Sequence, residues 1–231
     1  MISVIIPALN EESTIGRLIS WIAADEQSGS LIREIIIADG GSEDQTRKVA
    51  LDAGAKVIST QPGRALQMNE GAKVSAGKIL YFLHSDTFPP AGFARKICTA
   101  VNKKADAGCF RLQFDNPHPL LTFFGWCTRF DFPWFRFGDQ SLFILKTSFE
   151  EAGGFDESLT VMEDNEFIRR VRKHYSFTVL PDPVITSSRK YEQVGIVKLQ
   201  LIFLSIVVLY EAGVSQTVLR HWYRNALALA E

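Results

Sequence analysis

The chain has 231 residues, 46% apolar and 22% charged, a composition that excludes disorder and lets one α/β domain bury a sizeable core. Its 25 basic residues against 26 acidic ones give a net charge of −1, so it lacks the basic footprint that nucleic-acid binding needs. The cysteines Cys98, Cys109 and Cys127 are odd in number and never spaced CxxC, which argues against a disulfide framework or zinc site and for a reducing cytoplasm.

The N-terminus has no basic stretch and no cleavage site, so Ser3 to Ile6 reads as a first strand ended by Pro7 and not as a signal peptide. Ile15, Leu18, Ile19 and Ile22 then repeat at helical spacing, and Ile35 to Ala38 is an unbroken apolar strand of the kind covered on both faces in a parallel sheet. A helix over Asp44 to Ala53, a strand at Lys56 to Ile58, a helix over Arg64 to Ser75 and a strand at Ile79 to Leu83 continue the alternation. The pattern specifies a three-layer α/β/α fold, Rossmann-like, with a mostly parallel central sheet. Ligands in such sheets sit outside the carboxyl ends of the strands, so the loops at Pro7–Asn10, Asp39–Ser42 and His84–Thr87 are expected to converge.

Residues 113 to 138 are rich in Phe, Trp and Pro without clear periodicity and read as an irregular, partly covering segment. A strand at Ser141 to Leu145 and a helix opening at Glu163-Asp164, with Phe167, Ile168, Val171 and Tyr175 on its apolar face, follow. The longest apolar run, Leu201 to Tyr210, is about half the ~20 residues needed to cross a bilayer. No linker or repeat interrupts the chain, which reads as one domain over 1–231.

The first turn lacks GxGxxG and no GxxxxGK[ST] occurs, so bound phosphates would be neutralised by a metal or by basic side chains. Asp86, where a hydrophobic strand breaks into a loop, fits a hard-metal ligand and equally fits a turn-forming residue ahead of Pro89-Pro90. Asp39 opens Gly40-Gly41-Ser42 and suits either a nucleoside contact or a helix cap. Glu11 and Glu12 suit a solvated helix start. In the first turn of its helix the Glu163-Asp164 pair suits a general base or ordinary charge compensation of the helix dipole.

Taken together, Ser3-Val4-Ile5-Ile6-Pro7-Ala8-Leu9-Asn10-Glu11-Glu12, Glu34-Ile35-Ile36-Ile37-Ala38-Asp39-Gly40-Gly41-Ser42 with Asp44 and Thr46, and Leu83-His84-Ser85-Asp86 closely resemble glycosyltransferase family 2. Gly153-Gly154-Phe155-Asp156-Glu157 with Met162-Glu163-Asp164 resembles the acceptor-side half of that family, so the likeness runs over roughly residues 2 to 190. It implies a GT-A fold and a metal-dependent, inverting transfer of sugar from a UDP- or GDP-sugar to an acceptor hydroxyl. Residues 1–112 would bind the nucleotide sugar, 113–190 would form the acceptor side and 191–231 a C-terminal helical segment. Pro7, Ala8, Asn10, Glu11 and Asp39, with Arg64, Gln67, His84, Ser85 and Asp86, would form the donor site, and Asp86 would hold Mn²⁺ or Mg²⁺. By the same likeness Asp164 would be the favoured catalytic base with Glu163 second, and Asp139 and Gln140 would be acceptor contacts.

Two positions depart from the family pattern. His84 stands where the metal motif Asp-x-Asp has its first acid, and Met68 stands where an arginine usually precedes Asn69, with Arg64 one helical turn earlier to compensate. The aromatic residues Phe123, Phe124, Trp126, Phe130, Phe132, Trp134, Phe135 and Phe137 suit sugar stacking, shelter for a lipid-linked acceptor, or core. Val194 to Tyr210 with Arg220-His221-Trp222-Tyr223-Arg224 suits a buried helix, a homodimer contact or peripheral contact with the inner face of a membrane, the first two being favoured. The rival readings are a sugar-nucleotide nucleotidyltransferase and a non-catalytic nucleotide- or sugar-binding module.

Overall fold

The computed structural model describes residues 1–25, 29–130, 132, 136 and 138–228. Eight strands form one sheet in the order β3-β2-β1-β4-β7-β6-β8-β5. They are β1 (Ile2–Ala8), β2 (Ile32–Asp39), β3 (Lys56–Ser59), β4 (Ile79–Phe82), β5 (Thr87–Phe88), β6 (Ala107–Phe114), β7 (Leu142–Leu145) and β8 (Phe177–Thr186). The strands β1 to β4 are mutually parallel where they pair, β6 is parallel to β8, and β7 runs antiparallel to both β4 and β6. The sheet is therefore mostly parallel, with β7 reversed near its middle and the short β5 antiparallel to β8 at one edge.

Alternation along β1 divides the core. Val4 and Ile6 pack with the helices α1 (Ile15–Ala23), α2 (Thr46–Asp52) and α4 (Phe93–Asn102), while Ile5 packs with α3 (Arg64–Lys73), α6 (Lys146–Glu151) and α7 (Glu163–His174). This is the expected three-layer arrangement. In α1 the predicted stripe Ile15, Leu18, Ile19 and Ile22 is at most 1% exposed, and burial of each such side chain contributes roughly 1.5–3 kcal/mol.

One expectation is corrected. The segment from 113 to 138 contains a helix, α5 (Pro119–Cys127), started by Pro119 in the first turn and by His118, whose side chain accepts from the Leu120 amide. Its nine residues are too uniformly apolar to show a period, yet Leu121 is buried, and Gly125 lets the helix lie against β6, because a Cβ there would come within 2.7 Å of the Leu112 carbonyl oxygen. The chain ends in α8 (Arg189–Val194), α9 (Ile196–Glu211) and α10 (Gln216–Ala228). One side of α9 is core, packing against α5 and α8 and against Val161 and Met162 ahead of α7.

This topology brings the site together. The turn after β4 crosses the sheet edge to reach β5 beside the end of β8, where the Ser187 amide donates to the Asp86 carbonyl at 3.2 Å. Because β7 is reversed, the segment entering it, Gly138–Gln140, lies at the same edge as the carboxyl ends of β1, β2, β4, β6 and β8.

Candidate active site at the carboxyl edge of the sheet

The loops after β1 and β2 are stitched to one another. Asn10 takes a left-handed backbone (φ 55°), its amide donates to Ser42 Oγ at 2.9 Å, and its side-chain oxygen accepts from the Glu43 amide at 2.9 Å. The Glu11 amide donates to Thr46 Oγ1 at 2.7 Å, and the Gln45 amide donates to Glu12 at 2.8 Å. Asp44, and not Asp39, serves the start of α2, accepting from the Thr46 amide at 2.9 Å.

Asp39 is fully buried and accepts from the amides of Gly41 and Ser42, each at 3.2 Å, so it shapes its own loop. Pro7 and Ala8 belong to β1 and are buried. Gln67 is also buried; its amide donates to the carbonyls of Ala8 (2.9 Å) and Ala38 (2.7 Å), which ties the ends of β1 and β2 together. These three bear on a ligand through the shape they give the strand ends.

A second group gathers around Gly138. His84 Nδ1 lies 3.3 Å from Asp139 Oδ1, and a Cβ built on Gly138 would stand 2.7 Å from His84 Nε2 and 2.6 Å from Asp164 Oδ2. Glycine at 138 therefore lets His84 and Asp164 approach one spot. Asp164 accepts from the Gly138 amide with one oxygen and from the Asn165 amide at 2.7 Å with the other, in the first turn of α7, where the helix dipole favours a negative charge. A carboxylate so held is positioned to accept a proton.

Glu163 is different. It is 1% exposed, its Oε1 pairs with Arg64 Nε at 2.8 Å, and its Oε2 has no hydrogen-bond partner. Burial pushes its carboxyl above the ordinary range, and the Arg64 guanidinium opposes that shift. In turn the Glu163 charge raises the pKa of Arg64. The Arg64 side chain, expected on a base or phosphate, thus sits on the acidic pair.

Burial alone would lower the His84 pKa, but the hydrogen bond to Asp139 and the charges of Asp139 and Asp86 raise it, against the opposing charge of Arg64. Burial would raise Asp139, yet His84, Arg64 and Lys190 hold it below its usual value. Asp86 is half-buried and its carboxylate meets Thr87 Oγ1 at 3.4 Å, while Ser85 beside it is buried. Among the described residues no group of three His, Cys, Asp or Glu side chains is assembled as a metal site.

Gln140 does not lie on the surface as an acceptor contact would. It is 2% exposed, with Oε1 accepting from Arg136 Nη1 at 2.6 Å. Arg136, also buried, donates to the carbonyls of Thr128 and Phe130, while its own carbonyl accepts from Asn165 Nδ2 at 2.7 Å. The residue next to Asp164 is thereby fastened to the aromatic segment. Phe123, Trp126, Phe130 and Phe132 are between 39% and 56% exposed, so they are not core; Trp134, Phe135 and Phe137 lie outside the described residues.

The sequence pattern of glycosyl transferase family 2 matches residues 3–150. The chain belongs to that family. A glucosyl-3-phosphoglycerate synthase of Mycolicibacterium smegmatis is 37% identical over 98 aligned residues, covering 38% of this chain and 32% of that protein. One from Petrotoga mobilis is 44% identical over 58 residues, 25% of this chain and 18% of the relative. The matched part is thus a third or less of either relative's length. Among solved structures, S. aureus TarS superposes with a TM-score of 0.67 at 16% identity, covering 96% of this chain and 69% of that one. A Pyrobaculum calidifontis mannosyltransferase, solved with GDP-Man and Mn²⁺, has a TM-score of 0.65 at 15% identity and covers 99% of this chain and 73% of its own. These likenesses establish the GT-A fold.

Within the family frame, two groups escaped the sequence reading. Arg189 and Lys190 follow the end of β8; Arg189 Nη2 lies 3.7 Å from Glu11 Oε1, and Lys190 Nζ donates to Tyr223 Oη of α10 at 2.7 Å. Reading Phe177–Thr186 as one more strand with a carboxyl end would have singled them out. Arg136 and Asn165, which secure the acidic pair, carry no local signal.

Proposed function

We propose that this chain transfers a sugar from a nucleoside-diphosphate sugar to an acceptor hydroxyl, with Asp164 as the base. The observation that carries the reading is the placement of Asp164, held by two backbone amides at the start of α7 and facing the same spot as His84, at the strand ends beside Asp86. Family membership and fold neighbours solved in complex with UDP-GlcNAc and with GDP-Man support a UDP- or GDP-sugar as donor.

The acceptor O–H gives its proton to Asp164 as its oxygen forms a bond to the anomeric carbon. The bond from that carbon to the diphosphate oxygen breaks, and the nucleoside diphosphate leaves with the electron pair. Attack comes from the face opposite the leaving group, so the configuration inverts. Arg64 and Glu163 fix the α7 start from one side and Asn165 with Arg136 from the other, which holds Asp164 in place.

A divalent cation fits Asp86, because hard ions bound to phosphates take only one or two protein carboxylates and, among the described residues, this one has no hydrogen bond beyond a weak one from Thr87. With Nδ1 engaged by Asp139, His84 would offer Nε2 to the cation or to a ribose hydroxyl. Mn²⁺ or Mg²⁺ would supply positive charge against the diphosphate. Asp86→Ala, or EDTA with the unaltered chain, is expected to weaken UDP or GDP binding at least ~10-fold, about 1.4 kcal/mol. Unchanged affinity in a calorimetric titration would remove the cation from the scheme.

Asp39→Ala leaves the Gly41 and Ser42 amides without their acceptor, so it is expected to cost about 1–2 kcal/mol of stability and to weaken nucleotide binding as the loop loosens. Urea unfolding and the same titration measure both, and loss of stability with unchanged nucleotide affinity would confine Asp39 to the loop. The transferase reading itself is tested by release of nucleoside diphosphate from UDP- and GDP-sugars in the presence of Mn²⁺. A thermal-shift screen selects the donor, since a ligand at 100 times its Kd stabilises the fold by about 2.7 kcal/mol.

A further inference from the structure

The outer sides of α9 and α10 form a surface that the site does not use. Helix α9 buries Leu199, Ile202, Ile206 and Val207, as a core helix should, but its opposite side is apolar as well. Val197, Leu201, Leu204 and Val208 are each 57–60% exposed. Their spacing of four, three and four residues sets them in one stripe along the helix, where an ordinary surface helix is polar.

Between this stripe and α10 lies a shallow groove of about 450 Å³ edged by Leu201, Lys198, Ser205 and Trp222. Val218 of α10 is 54% exposed. With 16 residues, α9 falls short of the ~20 that span a bilayer, and among the described residues no helix is long and apolar enough to do so.

Charge decides what covers the stripe. Residues 196–228 hold Lys198, Arg220 and Arg224 against Glu211, a net charge of +2 in a chain whose net charge is −1. The acid Glu211 is paired with Arg169. A second copy would bring like charge against like charge, whereas anionic lipid head groups attract it, and Trp222 beside an apolar stripe suits the head-group boundary.

We infer that α9 and α10 dock on an anionic bilayer surface, with the Val197, Leu201, Leu204 and Val208 stripe entering the interface and the basic residues meeting the head groups. Docking does not rest on the transferase reading, since donor binding is measured without lipid.

The test is co-sedimentation of the full chain with vesicles of equal phosphatidylglycerol and phosphatidylcholine, and with phosphatidylcholine alone. Binding is expected on the anionic vesicles, weaker several-fold on the neutral ones and at 0.5 M salt, where the Debye length falls to a few Å. Leu201→Asp with Leu204→Asp is expected to lower the partition coefficient at least ~10-fold without moving nucleotide affinity, the two sites being exposed. If that variant misfolds by circular dichroism, Leu204→Ser with Val208→Ser takes its place. A chain that stays in the supernatant with both vesicles overturns the inference. So does equal binding of wild type and variant, or a concentration-dependent dimer in sedimentation velocity that the Asp substitutions dissolve.

Discussion

Asp164→Asn is expected to lower kcat for sugar transfer by ~10²–10⁴-fold, the usual contribution of a general base, while donor Kd stays within about twofold. Asparagine keeps the volume and an oxygen that can accept from the Gly138 or the Asn165 amide, but it takes no proton. Single-turnover kinetics at saturating donor separates the two quantities. The neighbouring acid is the weaker candidate, because Glu163 is buried and already paired with Arg64, whereas Asp164 meets His84 across a glycine that leaves room. If Asp164→Asn transferred sugar near the normal rate and Glu163→Gln did not, the base would be Glu163. If neither change touched transfer, the pair would be structural.

Much of this was legible because it depends on periods and punctuation. The alternation of apolar runs with helical stripes gave the order from β1 to β4, and the rule that ligands gather at strand carboxyl ends picked out Asn10, Asp39 and Asp86. What escaped depends on contacts between distant segments. Gln67 and Gln140 look like polar residues fit to touch a ligand, yet Gln67 ties the ends of β1 and β2 together and Gln140 accepts a hydrogen bond from a buried arginine. Arg64 keeps the helical position the sequence assigns it, but its partner is set by where α7 packs against α3, a contact across 99 residues that no local pattern carries. In α9 the reading of a buried helix is right for one face alone, since an apolar sequence does not say which side the fold covers.

The pairing of Arg64 with Glu163 makes a second large effect, on stability. Arg64→Ala leaves a buried carboxylate without its counter-charge, a loss of roughly 3–5 kcal/mol for a wholly buried pair. Half of the Arg64 side chain is exposed, so water supplies part of what the guanidinium gave, and about 2 kcal/mol is the expected loss at pH 8. For a chain of this length that lowers Tm by roughly 4–8 °C. The sign of the pH dependence follows from the direction of the Glu163 shift. Its folded-state pKa already lies above the ordinary carboxylate value because of burial, and removal of Arg64, the main opposing influence, raises it further. The folded variant then binds a proton that the unfolded chain has released, so its stability falls as pH rises through the window between the two pKa values and recovers as pH drops below it. Urea unfolding should accordingly find the variant closest to wild type at pH 5 and furthest from it at pH 8. Adding Glu163→Gln to Arg64→Ala removes the buried charge and should restore most of the pH 8 loss, whereas a deficit that grows on acidification, or one that the second substitution leaves unchanged, would mean that Arg64 holds α7 by packing and not by charge.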